Sequence, residues 1–193
     1  MAWLVAGLGN PGDRYADTRH NLGRMVAERL AADAGGRFRK VRFLPVDASE
    51  IRVGEEHVLL ARSLRYMNES GPGYASLAAK QGVSTERVVA VHDDLDLPAG
   101  SLRVKLGGGT SGHNGLRSLQ QAFRTPGFLR VRVGIGRPPG REDPADFVLE
   151  PVGKHMEPEL AAWADRASDA ARSLITDGLA ATQDRYNRID PGA

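Results

Sequence analysis

Apolar residues along the chain follow two rhythms. Residues 3–6, 41–46, 51–53, 58–61, 88–91, 102–106 and 129–135 form short runs with the length and β-branched content of strands. Between several of these, apolar positions recur every three or four residues, as on one face of a helix. After Thr18 the series Leu22, Met25, Val26 and Leu30 runs until Gly35 and Gly36 stop it. A second helix is predicted from about Ser70 to Gly82, burying Tyr74, Leu77 and Ala78. Asn114 opens a third, with Leu116, Leu119 and Phe123 on one side. Pro158 opens a fourth along Leu160, Trp163, Ala167, Ala171 and Leu174, interrupted at Asp177 and Gly178 before a last helical piece. The GEE at 54–56 separates two strands closely enough for a hairpin, so the sheet should be mixed, whereas RPPGREDP at 137–144 reads as irregular loop. Alternating strands and helices over 193 residues predict one α/β domain covering 1–193.

Composition narrows the chemistry. With no cysteine, disulfides, thiolate zinc sites and cysteine nucleophiles are excluded. No basic-then-apolar leader is visible, and no apolar run approaches the roughly 18 residues of a membrane span, so a cytoplasmic location is expected. The net charge is only +2, but it is unevenly spread. Residues 101–141 hold eight Lys and Arg and no Asp or Glu; the remaining chain has 18 basic against 24 acidic residues, a net −6. A basic segment without interspersed acids suits a polyanion better than a solvated face. Strand alternation puts Arg103 and Lys105 on one side of residues 102–106, and Arg130 and Arg132 on one side of residues 129–135. If these strands are neighbours, their cations form one patch suited to phosphates.

Ligands of open α/β sheets collect beyond the carboxyl ends of parallel strands. Asn10 lies just past the first strand, Asn68 in the loop after 58–61, and Asp93 at the end of VVAVH. If those strands are parallel the three share a rim, with His20 above it at the start of the first helix. A His20–Asp93 pair would present a neutral imidazole able to take a proton from water, with the carboxylate steadying the cation that forms. The same spacing also permits a capping histidine and a loop aspartate that never meet. His92 and His113 compete as bases, and with His20 and Asp94 they suggest metal ligands, but no ligand spacing such as H-E-x-x-H exists and no metal is expected. No G-x-S-x-G elbow follows a strand. The stretch GGGTSGHNG at 107–115 joins a strand to a helix, as an anion loop or a mobile turn, and lacks the lysine of a Walker loop. Tyr15 and Tyr66 flank the asparagine segments, where either could stack on a base.

GLGNPG at 7–12 fits the G-x-G-x-x-G of dinucleotide-binding proteins, but Gly12 leads into DRYADTR, which has no apolar helical face, and the acid some 20 residues on, Asp33, sits within a helix. An oxidoreductase would explain these glycines alone. A non-catalytic RNA-binding module would explain the basic segment but leave His20, Asp93 and the asparagines without a task.

Longer blocks are more specific. Through GLGNPGDRYADTRHNLG (7–23), YMNESGPG (66–73), VVAVHDDLDLPAGSLRVKLGGGTSGHNGLRSL (88–119), VRVGIGRP (131–138) and DFVLEP (146–151), the chain resembles bacterial peptidyl-tRNA hydrolase along almost its full length. It departs from the usual pattern at Glu69 and at Thr110 and Ser111. The resemblance implies a single α/β domain with a twisted, mixed, mostly parallel central sheet flanked by helices. It implies hydrolysis of the ester between a peptide and the 3′ ribose of tRNA, with no metal or cofactor. The residue matching His20 is then the base, that matching Asp93 its support, and that matching Asn10 distinguishes N-blocked substrates. Matches of Asn68, Asn114, Tyr15 and Tyr66 bind substrate, and those of Lys105 and Arg132 hold tRNA phosphate. The expected partner is peptidyl-tRNA, held by its acceptor stem and 3′ end, and the expected state is a monomer.

Overall fold

The computed structural model describes residues 1–188. Strands β1 (Trp3–Gly7), β2 (Arg39–Lys40), β3 (Val46–Val53), β4 (Glu56–Ser63), β5 (Val88–Asp94), β6 (Leu102–Leu106) and β7 (Leu129–Gly134) make one sheet in the order β2-β3-β4-β1-β5-β7-β6. The inner four, β4, β1, β5 and β7, run parallel, so their carboxyl ends share one rim. Antiparallel pairs flank them: β2–β3 and β3–β4 on one side, β6–β7 on the other. The GEE turn does join a hairpin, between β3 and β4.

Central strands buried on both faces need apolar residues at every position, which is why Val88, Val89, Ala90 and Val91 follow without alternation. On one face, Val5, Val89, Val91, Val131 and Val133 pack against α1 (Leu22–Asp33) and α5 (Glu157–Thr176). On the other, Leu4, Ala6, Leu59, Ala61 and Ala90 pack against α2 (Gly71–Lys80) and α3 (Asn114–Phe123). Truncating a leucine in either core costs about 2–5 kcal/mol. Helix α1 lies close on the sheet because Gly23 has no side chain; a Cβ there would stand 2.0 Å from the Val91 carbonyl oxygen. Tyr74 of α2 is fully buried, and its hydroxyl donates to the Gly7 carbonyl (2.7 Å) while accepting the Ser63 N–H (3.1 Å), tying the ends of β1 and β4 together.

The α2–α3 core ends at Phe128. Beyond it, on the same face, β7 carries Arg130 and Arg132 and β6 carries Arg103 and Lys105, with Arg132 opposite Arg103 and Arg130 opposite Lys105. The outer edge of β6 is closed by side chains of α6 (Gly178–Tyr186) and its C-cap. Asn187 Oδ1 accepts the Val104 N–H (2.7 Å), and the Asn187 amide (2.9 Å) and Gln183 amide (3.2 Å) donate to the Val104 carbonyl. Among the described residues, no helix is long and apolar enough to cross a membrane.

One expectation fails, and one helix goes unpredicted. Of the run 41–46 only Val46 is strand, and 41–45 form the turn between β2 and β3: Phe43 takes a left-handed backbone (φ 66°), Pro45 has no N–H to give a ladder, and Val46 starts an eight-residue strand of which 51–53 is only the end. The irregular loop of 137–144 gives way at Pro144 to a short helix, α4 (Pro144–Leu149), whose first turn is capped by the Asp143 carboxylate accepting the Ala145 N–H (2.8 Å). Helix α4 is fastened to the loop before α1 by Arg19, which donates to the Phe147 carbonyl (3.3 Å) and lies 4.1 Å over the Phe147 ring.

Candidate active site

The fourteen residues between β1 and α1 do not open a helix at Gly12. They form two 3-10 turns, Asp13–Tyr15 and Arg19–Asn21, and α1 begins only at Leu22, so the dinucleotide geometry is absent. The second turn supplies both His20 and Asn21. Asn21 Oδ1 accepts the Asn10 N–H (2.8 Å) and Asn21 Nδ2 donates to the Asn10 carbonyl (2.9 Å), bracing the Asn10 backbone from both sides. The Asn10 side chain accepts the Met67 N–H (2.7 Å); since an N–H only donates, the contacting atom must be Oδ1, which leaves the Asn10 NH2 as a donor.

His20 and Asp93 meet. His20 Nδ1 lies 2.9 and 3.1 Å from the two carboxylate oxygens of Asp93, and both residues are buried. A third group joins them: His113 Nε2 is 3.0 Å from Asp93 Oδ1. His113 is the N-cap of α3, and its Nδ1 accepts the N–H groups of Gly115 (3.1 Å) and Leu116 (3.3 Å). Those two donors require a lone pair on Nδ1, so the ring proton sits on Nε2 and points at Asp93. Asp93 therefore takes N–H bonds from two imidazoles, and His20, donating from Nδ1, keeps its lone pair on Nε2. That nitrogen has no protein partner among the described residues, and His20 lines a cleft of about 430 Å³.

The environment sets the charges. Burial alone would push the His20 pKa down, but the Asp93 charge and hydrogen bond outweigh it and raise it above the ordinary 6.5. Burial would raise the Asp93 carboxyl, yet the two imidazoles hold it well below the usual carboxylate range. His92 stays neutral: burial, then His113 beside it, drive its pKa far down, and its Nδ1 donates to the Asp93 carbonyl (2.7 Å). His20, Asp93 and His113 are close enough to suggest a metal site, their ligand atoms lying within 4.8 Å of one another. The hydrogen-bond pattern argues otherwise, because both imidazole nitrogens facing Asp93 carry protons and have no lone pair for an ion.

Other residues singled out from the sequence divide. Asn114 lines the cleft, together with Leu95, Thr110 and the apolar side of α4 at Val148 and Leu149. Asn68 is exposed and does not line the cleft; it lines a separate hollow with Arg65, Pro72 and Ser118, the last one turn of α3 away from Asn114. Tyr15 and Tyr66 meet edge-on with centroids 6.2 Å apart, and Tyr66 is 57% exposed. Lys105 and Arg132 are half-buried on the cationic sheet face; Arg132 Nε donates to Asp94 Oδ2 (2.8 Å), leaving its terminal nitrogens for an outside anion. Asn21 and the pairing role of His113 escaped the sequence reading. The available signals were the asparagine adjoining His20, and a histidine just before a helix start that lacks a Ser, Thr or Asp cap.

The family model for peptidyl-tRNA hydrolase matches residues 4–192. The peptidyl-tRNA hydrolase of Mycobacteroides abscessus is 50% identical over 186 residues, covering 96% of this chain and 95% of that protein. That of Frankia alni is 48% identical over 187 residues, covering 97% and 94%. The crystal structure of peptidyl-tRNA hydrolase from Acinetobacter baumannii superposes with a TM-score of 0.89 at 31% identity, over 99% of this chain and 97% of that one.

Proposed function

The chain belongs to the peptidyl-tRNA hydrolase family, and from that premise we propose how its residues divide the work. The reaction cleaves the ester joining a peptide to the 3′ ribose of tRNA and returns the tRNA to translation. In our reading His20 is the general base. Its Nε2 takes a proton from water as the oxygen attacks the ester carbonyl; the tetrahedral intermediate then expels the ribose 3′ oxygen, which recovers the proton from His20. Asp93 holds the Nδ1 proton and steadies the imidazolium, and His113 fixes Asp93. The observation that carries this reading is the His113–Asp93–His20 chain of hydrogen bonds, which ends on one free nitrogen in the cleft.

The remaining roles follow from what each side chain has left to offer. The Asn10 NH2 donates to the acyl carbonyl present in an N-blocked substrate and missing from free aminoacyl-tRNA, where the donor would go unpaired at a cost of about 1–3 kcal/mol. Asn114, over the positive end of α3, holds the reacting ester, and Asn68, Tyr15 and Tyr66 hold the 3′ end beside it. Lys105 and Arg132 take acceptor-stem phosphates on the open β6–β7 face. The protein acts in this reading as a cytoplasmic monomer, without metal or cofactor. General-base action contributes about 10²–10⁴-fold, so folded His20→Ala should lose a comparable factor in kcat on N-acetyl-aminoacyl-tRNA in the presence of a chelator. Near-normal turnover by that variant would overturn the assignment.

A further inference from the structure

The four cations on the β6–β7 face are not alike. Arg130 is 1% exposed and has no carboxylate partner among the described residues. Its guanidinium donates instead to two successive carbonyls of the glycine loop, Gly109 (Nη1, 2.5 Å) and Gly108 (Nη2, 2.6 Å), above the Phe128 ring at 5.0 Å. A buried cation without a counter-ion is costly, and here the loop's own carbonyls supply the compensation. Neighbouring ties act on the same stretch. The Gly107 N–H donates to the Phe128 carbonyl (3.0 Å), the Gln120 amide donates to the Gly108 carbonyl (2.7 Å), and the Lys105 ammonium packs where a Gly108 side chain would stand. Gly108 itself has φ 103°, which only glycine adopts without strain.

Among the described residues, the ties stop after Gly109 until the far end. Thr110, Ser111 (φ 46°) and Gly112 (φ 79°) lead to His113, whose N–H donates to the Thr110 carbonyl (2.8 Å) and whose ring holds Asp93. The loop is thus pinned at two points, Arg130 beneath its entry and Asp93 beneath its exit. Resting on the assignment of His20 as the base, we propose that Arg130 is a positioning residue: it sets the seat of the glycine loop, and through His113 the hydrogen bonding of the Asp93–His20 pair, rather than binding tRNA. The planar fork of arginine reaches two carbonyls at once, which the single ammonium of lysine cannot do in the same geometry. The sign of its effect on His20 follows. If the loop lifts, Asp93 loses the His113 N–H, directs more of its charge to His20, and raises the His20 pKa further.

The test compares Arg130→Lys and Arg130→Ala with Arg132→Ala, each checked for folding by circular dichroism. Hydrolysis is measured on full N-acetyl-aminoacyl-tRNA and on N-acetyl-aminoacyl-adenosine, and His20 is titrated by NMR without substrate. Both Arg130 variants should lower kcat by up to about 100-fold, the scale of a 1 Å misplacement, and equally on both substrates. They should also raise the His20 pKa, and added guanidinium ion should restore activity to Arg130→Ala but not to Arg130→Lys. Arg132→Ala should instead raise KM on the tRNA substrate alone. A loss by Arg130 variants confined to full tRNA would make Arg130 a phosphate ligand and overturn the proposal, as would an unchanged His20 titration. If the titration moves while hydrolysis of both substrates does not, Arg130 keeps its role in seating the loop and His20 loses its role as base.

Discussion

A histidine that caps a helix gives one ring nitrogen to the backbone, and this makes His113 a dedicated N–H donor to Asp93. It also separates the two substitutions that bear most directly on the pair. The His20 pKa already lies above 6.5, and only the neutral ring accepts a proton, so kcat/KM should rise with pH through an apparent pKa above that value. Asp93→Asn removes the charge that raises it while leaving the burial that lowers it. The acidic limb should then move to lower pH, with a reduced plateau. His113→Ala frees Asp93 to interact more strongly with His20 and should move the limb to higher pH; loss of the cap should also destabilise the fold by about 0.5–2 kcal/mol, measured by urea denaturation. Limbs moving in the same direction in both variants would refute the hydrogen-bond chain. The pairing of His20 with Asp93 was legible because strand ends and helix starts locate side chains along a rim. His113 was not, because nothing in GHNG says which ring nitrogen the helix will take.

Strands and helices were legible wherever burial enforced a period. The four parallel strands and α1, α2, α3 and α5 all present faces that must be apolar, and the sequence shows them. Residues 41–46 looked equally apolar, but a turn governed by Pro45 and the backbone of Phe43 overrode the pattern. Helix α4 was hidden for the opposite reason: six residues are too few for a period to emerge, and its only advance notice was the Asp143–Pro144 start. The Tyr74 hydroxyl gives this scale its own test. Tyr74→Phe keeps the packing but leaves the Gly7 carbonyl and the Ser63 N–H unpaired in the core, and should cost about 1–3 kcal/mol in denaturant titration. A stability within error of the parent would mean that water replaces the hydroxyl.

Across the molecule, four of the eight basic residues at 101–141, Arg103, Lys105, Arg130 and Arg132, converge because β6 and β7 are antiparallel neighbours whose charged positions fall opposite one another. Like charges so paired repel in the free protein, and an anion laid across them relieves that repulsion. Lys105→Ala or Arg132→Ala should therefore raise KM for peptidyl-tRNA with little change in turnover of a short acylated fragment. Each should also flatten the dependence of log affinity on log salt by roughly one unit or slightly less. Equal effects on long and short substrates would remove the phosphate contact. The sequence displayed this asymmetry of charge, but not that Arg130 faces inward, since alternation gives a side chain its face of the sheet and says nothing of what covers it.

The side-chain amides that complete β6 come from residues 183 and 187, some eighty positions after the strand they protect. A ribosome delivers the strand well before its cover. Until Asn187 has left the exit tunnel, Val104 offers an open backbone N–H and carbonyl to any passing extended chain. Nascent polypeptides arrested short of that point should consequently be more prone to intermolecular β-pairing than the finished molecule, despite having every strand of the sheet.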